Sequence, residues 1–386
     1  MHRVPYWRLS AYYFFYFAFL GVFAPYFGLY LQSLSFSAWD ISVLMTQMQL
    51  MRLVGPFFWG ALVDRIGQRM MFIRLAGGIT VLVFSALFFA SRFDALLIAL
   101  GGFSFFWVAA LPLVETLTFD HLRNETARYS RIRLWGSVGF IATVLGTGSL
   151  LDHWPLASLL WMCVICLAGI MLCSLAIPEA VSAHGQEGHQ PISRILRQTR
   201  VRALLAACFF MAAAHGALNI FYSIFLSDHG YAKTLVGGLW TLGVLAEILV
   251  FFFMARILKR FTVRQILLVS LAAAVVRFVT IGQSADSLGL LVVTQLLHGL
   301  TFGAFHSAAI AAVNRWFPGN TRARGQALYS SLSFGAGGAV GGLASGWVWD
   351  HLGSAMTFTL GSFFALLGLI LVQKWVVDTD VGANAE

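Results

Sequence analysis

Charged residues are scarce in this sequence. They make up 11% of the 386 residues, whereas hydrophobic residues make up 59%, and the mean hydropathy is +0.80. Typical soluble domains carry a charge on about a quarter of their residues, because their surfaces face water. The composition therefore excludes an ordinary soluble globule and predicts that lipid covers most of the folded surface.

Residue patterns for catalysis are also missing. No Walker lysine follows the glycine-rich stretch from Gly335 to Gly346, and the sequence shows no Ser-His-Asp or metal-ligand set. The C-x-x-C formed by Cys163 and Cys166 lies inside an apolar run, without a second pair. These observations predict a protein that is not an enzyme, holds no metal or cofactor, and uses these cysteines as small buried hydrophobic residues.

Long apolar runs recur from one end of the sequence to the other. Each has roughly 18 to 25 residues, enough for one helical crossing of a bilayer. The first six lie near residues 9–32, 42–63, 70–91, 95–118, 131–151 and 155–177. The second six lie near residues 203–226, 235–258, 266–284, 287–312, 326–349 and 353–376. We predict an all-α membrane protein with about twelve transmembrane helices.

The longest polar stretch, residues 178–200, separates the first six runs from the second six. This organisation predicts an N-terminal bundle of six helices over residues 1–178, a cytoplasmic linker over 179–201 and a C-terminal bundle with a short tail over 202–386. Lys and Arg in short loops stay on the cytoplasmic side, and only Arg92 and Lys233 fall outside if the N-terminus is inside. Both termini are therefore predicted to be cytoplasmic, and the net charge of +9 needs no nucleic acid partner to explain it.

The two halves repeat each other. The segment "GALVDRIGQR" at 60–69 and the segment "ARILKRFTVR" at 255–264 are displaced by 195 residues, and Asp152 and Asp350 are displaced by 198. A common displacement at two independent places indicates duplication. We predict two pseudo-symmetric bundles with a solute site at the midplane of the membrane, where a rocking carrier needs it.

The segment 60–69 resembles the loop signature of the major facilitator superfamily, whose members are transporters. The residues that carry the resemblance are Gly60, Asp64, Arg65, Gly67 and Arg69. The resemblance implies the major facilitator fold, in which a tight turn at Gly67 brings the charged residues against neighbouring helix ends and holds the cytoplasmic face shut in one state. The alternative is a basic loop that only sets topology.

Within that superfamily, the first apolar run and the segment "YSRIRLWGSVGF" at 129–140 resemble the lactose permease and phenylpropionate permease groups. The resemblance implies that Glu115 and Arg133 hold the substrate, and it places Phe140 where lactose permease has a tryptophan that stacks on sugar. The spacing agrees, because Glu115 and Arg133 lie at matching depth, roughly 7 Å inside the membrane, on consecutive helices. The alternative is a clamp between helices.

The second half carries intramembrane residues of its own. By resemblance, Arg277 and His298 occupy positions that couple proton movement, while Thr301 stands where lactose permease has a glutamate. We therefore predict Glu247 as the proton acceptor, with a permanent pair between Glu247 and Arg277 as the alternative. His306 is a further candidate for proton coupling.

Three more residues are candidates for substrate binding. His215 and Asn219 are four residues apart and share a helix face, which could line the cavity. Arg52 lies midway along the second run, so it either faces the cavity, where it favours an anion, or pairs with Glu115.

These patterns predict a proton-coupled symporter that imports a small organic solute, in the first instance an aromatic carboxylate such as 3-phenylpropionate. The alternatives are a sugar or nucleoside symporter, an efflux carrier and a membrane sensor that does not transport. The resemblance implies a monomer in a bacterial inner membrane whose partners are the solute, protons and lipid.

Overall fold

The computed structural model describes residues 4–122, 125, 128–180 and 192–377, apart from the side chain of Asp64. Helices make up 88% of these described residues, and no strand occurs among them. The long helices of the first half are α1 Tyr6–Ser33, α2 Ala38–Ile66, α3 Arg69–Phe89, α4 Phe93–Leu122, α5 Arg128–Leu151 and α6 Ser158–Ala176. Those of the second half are α7 Thr199–Asp228, α8 Lys233–Arg260, α9 Val263–Gln283, α10 Leu288–Trp316, α11 at 322–352 and α12 Ser354–Trp375.

Ten of these helices in the described residues are long and apolar enough to cross a membrane, which confirms the predicted all-α membrane fold. The two exceptions are α2 and α11. Helix α2 carries Gln47, Gln49 and Arg52 in its middle, and α11 contains a π-helical turn at Ser331–Gly337. Both overlap predicted runs, so a total of twelve crossings stays a prediction.

Local sequence explains where several helices begin and end. At the start of α2, the hydroxyl oxygen of Ser37 accepts a hydrogen bond of 3.1 Å from the Asp40 amide. At its end, Gly67 adopts a φ of 78°, and its amide donates to the Val63 carbonyl over 2.8 Å. The tight turn predicted at Gly67 is therefore confirmed.

The chain forms two compact units. The first unit contains the described residues before 181 and also Ile220–Gly238. The second unit contains residues 192–219 and 239–377. Ile220–Gly238 groups with the first unit because it packs there; for example, the Asp152 carboxylate accepts hydrogen bonds from the amides of Lys233 and Thr234. The predicted linker at 179–201 lies partly outside the described residues, and the predicted domain limits stay a prediction.

The internal repeat recurs in the packing of each unit. In the first, a Cβ added to Gly139 of α5 would lie 2.3 Å from the carbonyl oxygen of Phe14 in α1. In the second, a Cβ added to Gly337 of α11 would lie 2.4 Å from the carbonyl oxygen of Phe209 in α7. Phe209 follows Phe14 by 195 residues, and Gly337 follows Gly139 by 198. The two units therefore use the same close backbone contact, which only glycine permits.

The helices differ in how much of their surface is buried within the protein. In the most apolar window of α1, 72% of residues are buried within the protein, compared with 17% for α8. Large apolar side chains such as Phe89, Ile98 and Phe252 are at least three-quarters exposed. Such surfaces are stable only when hydrocarbon covers them.

Candidate functional site

Three helices of the first unit each contribute two side chains that lie one turn apart and therefore share a face. We call these six residues the Arg133 cluster: Tyr13 and Phe17 of α1, Glu115 and Phe119 of α4, and Tyr129 and Arg133 of α5. The close contact of α1 with α5 described above brings their aromatic and charged side chains together.

Arg133 is the centre of this cluster. Its Nε atom lies 4.0 Å from Oε1 of Glu115, so the pairing of these two residues that the sequence predicted is present. Its guanidinium carbon lies 3.9 Å from the ring centroid of Phe17 and 5.7 Å from that of Tyr13. Cation–π contact stabilises a charge that would be costly inside a membrane. A third of each charged side chain remains exposed, so a solute can reach them.

Tyr129 joins the charged and aromatic parts of the cluster. Its hydroxyl donates a hydrogen bond of 3.1 Å to Oε1 of Glu115. Its ring stacks on Phe119 with 4.6 Å between centroids and meets the ring of Tyr13 edge-on at 6.4 Å. The hydroxyl is thus held in place by contacts on two neighbouring helices.

Two other predicted substrate residues of this unit lie near α1. The backbone of Phe140 packs against α1, where a Cβ on Gly21 would come within 2.6 Å of the Phe140 carbonyl oxygen. Arg52 interacts electrostatically with Tyr16, whose ring stacks on Trp107 at 4.4 Å. The roles of Phe140 and Arg52 in binding stay predictions.

In the second unit, Arg277 is fully buried on α9. Its Nε donates a hydrogen bond of 2.7 Å to the Thr294 carbonyl, and one Nη donates to the Thr301 hydroxyl over 3.1 Å. The other Nη lies 3.5 Å from Oε1 of Gln295. A guanidinium without water needs such acceptors. Thr301, which replaces the glutamate of lactose permease, supplies one of them.

His215 lies at the break between the two halves of α7, Thr199–Ala214 and Gly216–Asp228. Its Nδ1 lies 2.8 Å from the Met211 carbonyl, which can only accept, so Nδ1 carries the proton. In the neutral ring Nε2 is then an acceptor, and it faces Arg277 at 3.5 Å. The structure therefore groups His215 with Arg277, while Asn219 is exposed one turn further along.

Glu247 and His298 face each other within the second unit. Oε2 of Glu247 lies 3.9 Å from Nε2 of His298, and both side chains are at most one-fifth exposed. Gly303 makes room for Glu247, because a Cβ there would lie 3.3 Å from the Cγ atom of Glu247. At this distance a charge on either side chain acts on the other, away from bulk water.

A stack of rings continues from His298 along α10. Phe302 lies nearly parallel to His298 on one side and to His306 on the other, with centroid distances of 5.5 and 5.9 Å. The π-helical turn Gly299–Ala304 runs through this stack. Nδ1 of His306 is hydrogen-bonded to the Tyr329 hydroxyl at 2.7 Å. Phe302 thus connects His298 with His306, while Glu247 faces His298 directly; with Arg277, these are the four residues predicted for proton coupling, and that role stays a prediction.

The predicted gating loop joins α2 to α3. Arg69 forms an ion pair with Asp120 near the end of α4, so one of the predicted contacts with a neighbouring helix end is present. Arg65 is exposed, and a Cβ on Gly60 would meet nothing within 4 Å. The side chain of Asp64 lies outside the described residues. A role of this loop in gating stays a prediction.

Sequence reasoning missed Tyr13, Phe17, Tyr129 and Tyr329. A signal for Tyr129 was present, because it precedes Arg133 by four residues in "YSRIR" and so shares its helix face. The contacts of Phe17 and Tyr329 join residues far apart in the chain, and spacing could not predict them. Among the described residues, no group of three or more His, Cys, Asp and Glu side chains could hold a metal ion.

Comparisons with known proteins agree with this architecture. Residues 6–360 match the family described as "MFS_1 like family". A probable 3-phenylpropionic acid transporter of Escherichia coli (strain K12) is 28% identical over 94% of this chain and 96% of its own length. The maltose permease of Geobacillus stearothermophilus is 24% identical over 76% of this chain and 78% of its own.

A solved structure of a mutant of the nucleoside transporter NupG superposes with a TM-score of 0.85 at 18% identity, covering 96% of this chain and 98% of that one. This likeness shows the fold. The family match extends over most of the sequence and covers both units. The chain therefore belongs to the MFS_1-like family of the major facilitator superfamily of membrane transporters.

Proposed function

We propose that this transporter is a proton-coupled symporter that imports a small aromatic carboxylate, such as 3-phenylpropionate, by alternating access. It acts as a monomer in a bacterial inner membrane with both termini in the cytoplasm. The observation that carries the proposal is the position of Arg133, which rests on the ring of Phe17 at 3.9 Å but faces Glu115 across 4.0 Å.

The chemistry of guanidinium explains why this arrangement suits a carboxylate. Its N–H donors lie in the plane of the group, and the ring of Phe17, whose centroid lies 3.9 Å from the central carbon, offers those donors no carboxylate or carbonyl oxygen. The donors at the edge can therefore bind a carboxylate with two parallel hydrogen bonds. The rings of Tyr13 and Phe17 supply apolar surface for the aromatic part of the solute.

Proton coupling is assigned to Glu247 and His298. They lie 3.9 Å apart in the second unit and away from bulk water. A charge in such a place costs several kcal/mol unless it has a partner, so a proton that neutralises Glu247 changes the stability of a conformation. Binding and release of that proton can therefore be linked to the transport cycle.

The similarity to a probable 3-phenylpropionic acid transporter supports the carboxylate assignment. The maltose permease and nucleoside transporter matches support the alternative, in which Glu115 and Arg133 bind hydroxyl groups of a neutral solute. Phe140 in place of the stacking tryptophan of lactose permease argues against a sugar.

Uptake into proteoliposomes tests the proposal. We expect radiolabelled 3-phenylpropionate to accumulate when an inward proton gradient is imposed, and a neutral β-galactoside and uridine to be left outside. Arg133→Ala should abolish accumulation, because no other group of the Arg133 cluster can pair with the solute carboxylate. Glu247→Gln should abolish accumulation but keep exchange of labelled for unlabelled solute, because exchange needs no net proton movement.

Two exposed residues provide matched controls. Arg92→Ala removes an exposed arginine that pairs with exposed Asp94, and Glu125→Gln removes an exposed glutamate beside Arg128. Both variants should transport like the unaltered protein. Uptake of uridine or the galactoside instead of the acid would show that the proposed substrate is wrong, while the assignment as a carrier would stand. Binding without transport of any solute would support the sensor, and outward movement alone would support efflux.

A further inference from the structure

The ion pair of Arg133 and Glu115 is open. Charge-assisted hydrogen bonds between arginine and carboxylate usually measure about 2.7 to 2.9 Å. In this protein the nearest atoms, Nε of Arg133 and Oε1 of Glu115, are 4.0 Å apart. Both side chains are long and about one-third exposed, so chain length does not prevent them from closing. A group that contacts both side chains can hold them at this distance.

Tyr129 is that group. Its hydroxyl donates to Oε1 of Glu115 over 3.1 Å, which is the same oxygen that faces Arg133. The hydroxyl also interacts with Arg133, so it contacts both charged groups. Stacking on Phe119 and the edge contact with Tyr13 hold the ring, so the hydroxyl cannot easily turn away.

We propose that Tyr129 is a positioning residue that keeps Glu115 from closing on Arg133 and thereby reserves the guanidinium for the carboxylate of the solute. This inference rests on the proposed function, and it assigns the preference for an acid over a neutral analogue to Tyr129. Without the hydroxyl, Glu115 occupies the donors at the edge of Arg133, and the solute must displace it.

The variant Tyr129→Phe tests this role, because it removes the hydroxyl and keeps the ring contacts with Phe119 and Tyr13. We expect the KM for 3-phenylpropionate to rise roughly five- to tenfold, with Vmax within about twofold, since the change affects binding before transport. The KM or inhibition constant of the neutral 3-phenylpropanamide should stay the same, so the preference for the acid falls.

The second variant separates positioning from a structural effect. In the double variant Tyr129→Phe with Glu115→Gln, no negative charge remains to close on Arg133. The KM for the acid should then return to within about twofold of that of Glu115→Gln alone. Tyr30→Phe, roughly 25 Å further along α1 from Tyr13, is the matched control and should leave KM unchanged.

Each outcome decides the inference. An unchanged KM in Tyr129→Phe overturns it, and so does a raised KM that Glu115→Gln does not restore, because a merely structural defect would persist. Equilibrium binding to the purified protein is measured beside transport. Absence of both binding and transport of the acid by the unaltered protein refutes the proposed substrate and this inference with it. Normal transport with no effect of Tyr129→Phe refutes the inference alone.

Discussion

The guanidinium carbon of Arg133 lies 3.9 Å from the ring centroid of Phe17, while the Nε atom of Arg133 lies 4.0 Å from Oε1 of its acidic partner Glu115. An aromatic face stabilises the cation without occupying the donors in its plane. Under the proposed function, the first unit thus keeps an arginine inside the membrane with donors left for the carboxylate of the solute. Several expectations about variants depend on this relationship and on the packing around it.

Arg133→Lys should weaken uptake of 3-phenylpropionate even though the charge is kept. Lysine cannot form two parallel hydrogen bonds with a carboxylate, and its ammonium is a compact, strongly hydrated charge without a flat face to lie on Phe17. We expect KM to rise about tenfold or more, corresponding to roughly 1.4 kcal/mol. Initial uptake rates across a range of solute concentrations give KM, and Arg92→Lys is the control. An unchanged KM would mean that only charge matters at this position.

Glu115→Gln distinguishes an anionic from a neutral solute. If the solute is a carboxylate, removing the negative charge beside Arg133 lowers the electrostatic repulsion, so KM should stay the same or fall. If the solute is a sugar or nucleoside, Glu115 is needed to accept hydrogen bonds from hydroxyl groups, and uptake should fall severely. Uptake of 3-phenylpropionate, β-galactoside and uridine by this variant decides between them.

Gly139→Ala should destabilise the first unit. Its new Cβ would lie 2.3 Å from the carbonyl oxygen of Phe14, so α1 and α5 would have to move apart. Overpacking of this kind typically costs about 1 to 3 kcal/mol. Thermal unfolding in detergent should show a lower Tm. Gly146→Ala in the same helix is the control, because its Cβ meets nothing within 4 Å and alanine favours helix. Equal Tm values would contradict the assigned contact.

Asp152→Ala should lower stability at neutral pH and have less effect in acid. Burial by itself would raise the pKa of Asp152, but hydrogen bonds from Thr234 and Lys233 outweigh it and hold the pKa below its usual value. The carboxylate therefore stabilises the fold above the unfolded pKa of about 3.9, and this contribution is lost as the pH falls through the lower, folded pKa.

Loss of this helix-terminal contact should cost about 0.5 to 2 kcal/mol at pH 7. The measurement is Tm in detergent as a function of pH for the unaltered protein and Asp152→Ala, with the exposed Asp286→Ala as control. The difference in Tm between the unaltered protein and Asp152→Ala should shrink as the pH falls below about 4. A constant difference across the whole range would show that the charge of Asp152 is not responsible.

The sequence alone was sufficient for the membrane class and the helical architecture, because apolar run length and charge scarcity depend only on composition and order. It also predicted the turn at Gly67, which depends on one local backbone conformation, and the repeat of 195 to 198 residues, which reappears in the contacts of Gly139 and Gly337. The pairing of Glu115 with Arg133 was predictable too, since consecutive antiparallel helices place residues equally far from their loop at equal depth.

Tertiary structure alone decided what surrounds these charges. Phe17 lies 116 residues before Arg133, and Tyr329 lies 23 residues after His306, so their contacts depend on helix rotation and on which helices become neighbours. Hydropathy does not encode rotation when a helix is apolar on every side, as most of these helices are. The rotation is instead set by close backbone contacts such as that of Gly139 with Phe14, and it brings the hydroxyl of Tyr129 against the two charges that the sequence had already paired.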